Sequence, residues 1–487
     1  MNKLFLIFIL ILVAFFATIL ARTFILKSSI KKTINKPNFD VSSLYEKAPE
    51  NLSKAIKIKT ISHANYKDFD LSKFEEFINF VQSTYPNIFN TVEFTKINNY
   101  NIVLKWKGKD KNLAPVLFTA HYDVVDVSEN TLKDWKFSPF EGQIENNIIY
   151  GRGTQDDKTH VIAHFEALNS LIEQGFIPNR DIYYAICHDE EVGSENGAKI
   201  VSKYFQDKGL FFDLVWDEGG RVLLGENGSQ TALIGIGEKG RIISTVKLKT
   251  TGGHASRPPK ETSVTNLAKA ITALNKNQIK PVLLQSTEKY LLDTFNNYDF
   301  YMQLLIANKD ILKPLLIKEM EKNPNLNATI RSTMAITKLE ASKVTNVIPE
   351  YSQMTIDSRI VFPQTPEQVK NHIVKTIQKE LPSVTVEIET SGIEKPSKIA
   401  DENNPLLMGV KKEITEIYPS ANIVPFLVLG GTDARNYENV TNTSIRFLPI
   451  SITQEEVDSM HNTNESISVE NLKRMAYFFE QFIKNNL

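Results

Sequence analysis

The chain has an ordinary globular composition and an almost balanced charge. Its 487 residues are enough for two or three domains, and 42% of them are apolar while 23% are charged. The formal net charge of −1 leaves no global basic field of the kind that indicates nucleic-acid binding. The single cysteine, Cys187, excludes an internal disulfide framework and a cysteine-rich zinc site, so any metal must be held by His, Asp or Glu.

An uncharged apolar segment, residues 4–21, opens the chain. It is at the short end for a membrane-spanning helix but long for the apolar region of a cleaved signal peptide. Because no convincing cleavage site follows, we predict a signal anchor over residues 1–26 and a linker at 27–44. By the positive-inside rule, the flanking charges favour a cytoplasmic main domain, since more basic residues follow the segment than precede it. They are Lys3 before the segment and Arg22, Lys27, Lys31 and Lys32 after it.

Strand and helix patterns alternate in the first half of the main domain. This alternation predicts an α/β fold with a parallel or mixed sheet covered by helices. We assign residues 45–238 to the first part of a catalytic domain. The predicted strands are 101–106, 115–120, 182–187 and 211–216, and the predicted helices are 71–85, a helix from Lys158 to a stop at Gly175, and one around 196–207.

The pattern changes near Gly240, where residues 239–392 are predicted to form an inserted domain. Two helices on a four-stranded sheet indicate a ferredoxin-like α+β type, interrupted by a helical insertion at 281–330. Thr365 is the predicted N-cap of its second helix, followed by Pro366 and the capping-box residue Gln368. The predicted strands are 241–249, 332–339, 353–360 and 384–388. The catalytic domain resumes over 393–487, with strands 423–429 and 444–449 and a last helix from about Val469.

Acidic residues and histidines cluster at predicted strand ends. His121 ends one strand, Asp189-Glu190-Glu191 follow another, and Glu218 follows a third. Open α/β sheets bind ligands at the carboxyl ends of their strands, so these side chains are expected to converge. In an extended segment Glu190 and Glu191 would point to opposite sides, one towards a metal and the other towards a water. An acidic triplet taken alone is more typical of a solvated turn, and the other segments of the chain favour the metal site.

With Asp156 and His461 in loops, the set comprises two imidazoles and three carboxylates, which suits a pair of divalent ions. Asp217 competes with Glu218 as a ligand. His160 and His164 lie four residues apart on a helix, but Val161 stands where a metalloprotease helix needs Glu, so we assign them to packing or solvated roles. Cys187 is predicted to be a core residue.

Several segments together resemble the motifs of a known family. In family order and spacing over residues 45–487, they resemble those of the two-zinc metallopeptidases of the aminoacylase, carboxypeptidase S and glutamate carboxypeptidase group, family M20. PPKETS and the N-terminal segment are similar to the branch of carboxypeptidase S and the N-acyl amino acid synthase/hydrolase. The segments are FTAHYDVV, GRGTQDDK, HDEEVGSENGA, VWDEGG, TGGHASRPP, GGTDAR and MHNTNESISV.

The resemblance implies a zinc-peptidase catalytic domain with an inserted lid or dimerisation domain. It also implies two Zn²⁺ per chain, which Co²⁺ or Mn²⁺ can replace. By resemblance, the residues have the following roles: His121 and Glu218 bind one ion, Glu191 and His461 bind the other, Asp156 bridges them, Asp123 orients His121, Glu190 is the general base, His254 steadies the substrate carbonyl oxygen, and Asn346, Arg359, Gly431 and Thr432 contact substrate.

The implied activity is hydrolysis of an amide next to a free carboxylate, in short peptides or N-acyl amino acids. One alternative is an N-acyl amino acid synthase/hydrolase that runs in either direction, and another is a metal-binding protein without turnover. The resemblance also implies a homodimer and a single-pass membrane protein. It favours a lumenal or extracytoplasmic catalytic domain, against the charge bias.

Overall fold

The computed structural model describes residues 3–29, 40–225 and 228–487. Lys31 and Lys32, and most of the predicted linker at 27–44, lie outside the described residues. The helices are α1 (Lys3–Ser29), α2 (Ala48–Lys57), α3 (Leu71–Thr84), α4 (Pro86–Thr91), α5 (Lys158–Glu173), α6 (Ala198–Asp207), α7 (Ser263–Lys276), α8 (Gln285–Asp293), α9 (Phe300–Ala307), α10 (Lys309–Met320), α11 (Pro324–Ile330), α12 (Pro366–Glu380), α13 (Pro405–Ile417), α14 (Gln454–Asp458) and α15 (Val469–Asn486).

The strands are β1 (Glu93–Ile97), β2 (Asn101–Trp106), β3 (Val116–His121), β4 (Ile144–Glu145), β5 (Ile148–Tyr150), β6 (Ile182–Cys187), β7 (Leu214–Asp217), β8 (Val222–Leu224), β9 (Gln230–Glu238), β10 (Gly240–Lys249), β11 (Gly253–His254), β12 (Thr333–Glu340), β13 (Val347–Ile348), β14 (Tyr351–Ile360), β15 (Thr385–Glu394), β16 (Ala421–Val428), β17 (Ser444–Arg446), β18 (Ser451–Thr453) and β19 (Ser466–Ser468).

These elements form two compact units. Within the described residues, the large unit comprises 40–237, 398–426 and 432–487, and the small unit comprises 3–29, 238–397 and 427–431. The large unit is built on a mixed sheet of order β1-β2-β6-β3-β7-β17-β9-β8-β18, with β16 paired to β9. Strands β6, β3, β7 and β17 run parallel, while β1 and β2 are antiparallel to their neighbours and β9 is antiparallel to β17 and β8. The predicted α/β class is therefore confirmed.

Helices cover the sheet because their apolar residues recur at helical spacing. In α15, Leu472, Met475, Phe479 and Phe482 are buried, and this face belongs to the same apolar core as α5. Helix α5 begins at Lys158 and ends just before Gly175, whose φ of +69° suits a residue without a Cβ. A separate apolar cluster packs α6 against the sheet. The core thereby fixes the strands whose carboxyl ends carry the acidic residues.

Two predicted strands are shorter in the structure. The strand expected at 211–216 begins at Leu214, because Phe212 is engaged in an isolated bridge with Thr441. The strand expected at 444–449 ends at Arg446, and the backbone N–H of Leu448 donates to Gly220 O. Both changes follow from partners that are distant in sequence.

The small unit contains a four-stranded antiparallel sheet of order β12-β14-β10-β15. Its core includes residues of α7 and α12, an arrangement that is compatible with the predicted ferredoxin-like type. Helix α12 begins as predicted, since Thr365 and Gln368 form a reciprocal capping box around Pro366. The role of this unit as a lid or dimerisation domain stays a prediction.

The small unit also holds the helical insertion (α8 to α11) and α1. The insertion has an apolar cluster of its own, to which Leu26 of α1 contributes a partly buried side chain. Among the described residues, α1 is the helix that is long and apolar enough to cross a membrane, by length and composition. A signal sequence satisfies the same criteria.

Candidate metal centre

The acidic residues meet at one edge of the large sheet. Strands β6, β3 and β7 are adjacent and parallel, so their carboxyl ends lie together. His121 is the last residue of β3, the acidic triplet follows β6, and Glu218 follows β7. The register of the parallel strands thus brings together residues that are far apart in sequence.

Two groups of possible ligand atoms result. The first contains His121, Asp156 and Glu218, and the second contains Asp156, Glu191 and His461. The ligand atoms of each group lie within 4.8 Å of one another. The structure therefore brings together all five residues that the sequence singled out as ligands.

Asp156 belongs to both groups through different oxygens. Its Oδ1 lies 2.9 Å from His121 Nε2, and its Oδ2 lies 2.9 Å from His461 Nε2. Glu218 Oε1 is 3.7 Å from the first imidazole nitrogen, and Glu191 Oε1 is 3.2 Å from the second. One shared carboxylate with an imidazole and a second carboxylate on each side is a donor set that fits two adjacent divalent ions.

The segment that carries Glu190 and Glu191 differs from the prediction. It was expected to be extended, but Glu190–Val192 form one 3₁₀ turn. Neighbouring side chains in such a turn are about 120° apart, so the two carboxylates still point in different directions. Gly193 closes the turn with a φ of +105°. The two carboxylates are thus separated by a 3₁₀ turn and not by the alternation of an extended strand.

The fully buried carboxylate of Asp123 ties this turn to His121. It accepts the backbone N–H groups of Glu190 and Glu191, both at 3.2 Å. Its Oδ1 also lies 3.2 Å from His121 Nδ1. Asp123 is therefore placed to fix both the imidazole orientation and the position of the acidic turn.

Glu465 holds the loop that carries Asp156, a role that no sequence pattern predicts. This buried carboxylate accepts the backbone N–H groups of Gly153, Gln155 and Asp156 and forms an ion pair of 2.7 Å with Arg152. Burial raises the pKa of the Glu465 carboxyl, while the Arg152 guanidinium opposes that shift. The only sequence signal was its position in the segment that contains His461.

Asp217 is engaged elsewhere. One of its oxygens accepts the backbone N–H of Glu218 at 2.9 Å, and the other accepts that of Ala434 at 2.6 Å. Asp217 is absent from both ligand groups found among the described residues. The geometry therefore favours Glu218 over Asp217 as a ligand.

The site concentrates negative charge in a buried environment. Burial raises the pKa of Glu218 and of Glu191 to about 7, and Asp156 adds to both shifts. Burial also raises the pKa of Glu190. In contrast, hydrogen bonds with Asp156 and Glu191 raise the pKa of His461 to about 10. Buried carboxylates with these shifts need cationic partners, which agrees with a metal site.

None of the other predicted site residues belongs to either ligand group found among the described residues. His254 is an exposed residue of β11 in the small unit, and its Nδ1 accepts the Ser256 hydroxyl at 2.7 Å. Arg359 donates from Nε to Asp357 at 3.0 Å. Asn346 is exposed, and Gly431 also belongs to the small unit. Thr432, in the large unit, caps the 3₁₀ helix Asp433–Tyr437.

His160 and His164 are buried in α5 and form no part of either ligand group. His160 Nδ1 lies 3.1 Å from Asp157, and the Nε2 atoms of the two imidazoles lie 2.8 Å apart. Burial lowers the pKa of His160 to about 4, so its ring is neutral near pH 7. Cys187 is buried in β6, as predicted for a core residue.

Comparisons with known proteins agree with this geometry. Residues 117–485 match Peptidase family M20/M25/M40. The chain is 30% identical to the N-fatty-acyl-amino acid synthase/hydrolase PM20D1 of Xenopus tropicalis, over 98% of this chain and 93% of that protein. It is 32% identical to the probable carboxypeptidase S-like 2 of Dictyostelium discoideum, over 90% of this chain and 84% of that protein.

Among solved structures, the chain is similar to the M20 family metallo-carboxypeptidase Sso-CP2 from Sulfolobus solfataricus. The TM-score is 0.66 at 20% sequence identity, and the match covers 90% of this chain and 99% of that chain. A second similar structure is the dipeptidase Dug1p from Saccharomyces cerevisiae, with a TM-score of 0.63 at 17% identity and coverage of 92% and 98%. These likenesses support the fold.

Proposed function

The chain belongs to peptidase family M20/M25/M40, and we propose that it is a two-zinc amide hydrolase that cleaves an amide bond next to a free carboxylate. Its assignment to the hydrolases follows from the family. The main support for the metal assignment is the position of Asp156, whose two oxygens each lie 2.9 Å from a different imidazole. A surface acid or an isolated core histidine would not produce two ligand groups that share one carboxylate.

The ligand groups divide the proposed ions between them. His121 and Glu218 would hold one zinc, Glu191 and His461 would hold the other, and Asp156 would bridge both. When bound, the two ions supply Lewis-acid activation of a water and of the substrate carbonyl. The charge of +4 on two divalent ions would more than offset the charge of −3 on the three carboxylate ligands.

Glu190 is the proposed general base. Its backbone N–H donates to Asp123 at 3.2 Å, which holds the turn that carries both Glu190 and the proposed ligand Glu191. Burial raises the pKa of Glu190, and a carboxylate with a raised pKa is a better proton acceptor near neutral pH. Glu190 takes the proton of the attacking water and delivers it to the leaving amine.

The remaining roles are assigned by family resemblance. His254 is proposed to stabilise the negative charge that develops on the carbonyl oxygen. Asn346, Arg359 and the pair Gly431-Thr432 are proposed substrate contacts. The exposure of His254 and Asn346 in the small unit leaves both side chains accessible to a ligand.

Two substrate classes are supported by named relatives. The relatives called carboxypeptidase S-like support short peptides cut at the carboxyl end, and those called N-fatty-acyl-amino acid synthase/hydrolase support N-acyl amino acids. In both classes an amide lies next to a free carboxylate, so one site can serve both. Synthesis is the reverse of the same reaction, and abundant fatty acid and amino acid would favour it.

The protein is further proposed to be a single-pass membrane protein, anchored by α1 and with its catalytic domain lumenal or extracytoplasmic. The length and apolar composition of α1 support the anchor. A homodimer is proposed from family resemblance.

A substrate screen tests the proposed function. Purified protein loaded with zinc is assayed against N-acyl amino acids and dipeptides, and turnover of at least one class is expected. Glu190→Gln serves as the matched control, because it keeps the ligands and the side-chain size while removing the base. Zinc binding without turnover of any substrate in either class would instead identify a metal-binding protein.

A further inference from the structure

Helix α1 changes its surroundings along its length. From Phe5 to Thr18 nearly every described side chain is exposed, although this segment is strongly apolar. Beyond it, a stripe of buried or partly buried residues faces the helical insertion. The stripe is Ile19, Arg22, Thr23 and Leu26, at the three- and four-residue spacing of one helix face.

Specific polar contacts hold this stripe against the insertion. The buried amide Nδ2 of Asn308 donates to Ile19 O at 3.1 Å and lies 3.3 Å from the Thr23 hydroxyl. Arg22 makes a two-pronged ion pair with Asp310, at 2.8 and 3.0 Å. An anchor joined only through a flexible tether would not need such partners. The end of α1 and the insertion therefore form one packed structure.

The level of this contact relative to a bilayer follows from helix geometry. Residues 4–21 extend about 27 Å, close to the thickness of about 30 Å of a bilayer hydrocarbon core, so Arg22 marks its edge. Ile19 lies three residues before Arg22, which is about 4.5 Å along the helix axis. Because Asn308 bonds to Ile19 O, the insertion reaches at least to the level of the hydrocarbon edge.

The insertion presents large apolar side chains beside this contact. Phe300 is 45% exposed, and its ring centroid lies 5.9 Å from that of Phe24, which is 56% exposed. Ile311, also 45% exposed, directly follows the partner of Arg22. We propose that the helical insertion lies in the membrane interface, with Phe300 and Ile311 among the lipid tails or headgroups. The proposal rests on the membrane anchoring proposed above.

A cavity between α1 and the insertion adds a place for lipid. Its volume is about 480 Å³, and its lining combines apolar residues with charged ones. Ile25, Leu26, Leu292 and Ile306 are apolar, while Arg22 is paired with Asp310 and Lys309 with Glu288. Because both basic groups already have carboxylate partners, the lining suits the acyl chain of a lipid rather than its phosphate.

The test uses full-length protein with a single fluorophore in phosphatidylcholine vesicles. Cys187 is the chain's only cysteine and is buried, so a cysteine introduced at an exposed site can be labelled selectively. The variants are Phe300→Cys and Ile311→Cys for the insertion, Val13→Cys for the anchor and Leu339→Cys as control. Leu339 is 59% exposed and lies six residues along β12 from Thr333, about 20 Å from the end that follows the insertion.

Two quenchers are used: a lipid spin-labelled near the headgroup reports on positions 300, 311 and 339, and a lipid spin-labelled near the middle of its acyl chain reports on position 13, which lies about 13 Å inside the hydrocarbon edge. Quenching at positions 300 and 311 should exceed that at 339 by at least about threefold, since interfacial helices bury their apolar face by about 5–10 Å. Quenching at 13 with none at 300 and 311 overturns the interfacial insertion but leaves the anchor intact. Absence of lipid contact at 13 overturns the anchor and this inference with it. If positions 300 and 311 are quenched by lipid only after the protein has been diluted in lipid, a second copy of the chain covers them at higher protein density. That result also overturns the proposal.

Discussion

Replacing Glu465 with Gln should weaken both the fold of the large unit and its metal binding. Glu465 is fully buried and forms a 2.7 Å ion pair with Arg152, whose side chain is only 4% exposed. It also accepts three backbone N–H groups of the loop that carries Asp156. Gln keeps the size and one acceptor oxygen but removes the charge.

The expected loss of stability comes mainly from Arg152, whose buried charge would have no carboxylate partner. Removing one partner of a buried ion pair typically costs about 3–5 kcal/mol, because the other charge stays buried without compensation. The Gln carbonyl can still accept some of the backbone hydrogen bonds, so we expect the lower end, about 3 kcal/mol. Loss of a group that positions a metal ligand typically lowers metal affinity about 10–100-fold, and we expect the same here for zinc.

Tryptophan fluorescence is a suitable probe, since all three tryptophans lie buried in the large unit and Arg152 lies over the ring of Trp135. Urea unfolding of the metal-free full chain in detergent gives the stability change, and zinc titration gives the affinity. Glu470→Gln is the matched control, because its ion pair with Arg474 lies in the same unit but the carboxylate is 65% exposed. That control should lose less than about 1 kcal/mol.

The double variant Arg152→Met/Glu465→Gln should lose less stability than the sum of the two single variants, since neither charge is left alone. If Glu465→Gln unfolds at the same urea concentration as the control and binds zinc equally tightly, Glu465 does not hold the Asp156 loop.

Three further predictions concern the ligands, the small unit and the membrane. Asp156→Ala should lose both zinc ions, because each of its oxygens faces a different imidazole; one zinc retained in elemental analysis would contradict a shared ligand. His254→Ala should lower kcat by roughly 10²–10³ with unchanged zinc content, the usual cost of one oxyanion donor; full turnover removes His254 from the mechanism. Protease added to the cytoplasmic side of sealed membranes should leave the main domain intact, and digestion from that side would refute the proposed topology.

Much of the fold and of the site could be predicted from local patterns. Alternating strands and helices predicted the α/β class, and the carboxyl-end rule placed His121, Glu191 and Glu218 at one edge because β6, β3 and β7 are parallel neighbours. Asp156 and His461 completed the predicted ligand set from loops that carry no strand pattern, and the motif resemblance gave each of them its role. The structure brings all five side chains together, while their roles as zinc ligands stay predictions.

Contacts between distant segments could not be predicted. Arg152 and Glu465 are 313 residues apart, and nothing local distinguishes Glu465 from the other acidic residues of the chain. Asn308 and Thr23, which are also in contact, are 285 residues apart in the sequence. The 3₁₀ turn at Glu190–Val192 could not be predicted because Asp123, which accepts two of its N–H groups, lies in the loop after β3, far away in sequence.

Glu190→Gln, measured beside Glu191→Ala, tests the central claim most directly. Glu190 is the proposed base and Glu191 a proposed ligand. Replacing these adjacent residues should therefore have different effects on zinc content. Glu190→Gln should keep its zinc and its thermal stability but lose activity by about 10²–10⁴-fold, the usual contribution of general acid–base catalysis. Glu191→Ala should lose zinc as well as activity. If Glu190→Gln retains more than about a tenth of the wild-type turnover, where a loss of at least about 10² is expected, the assigned base is wrong.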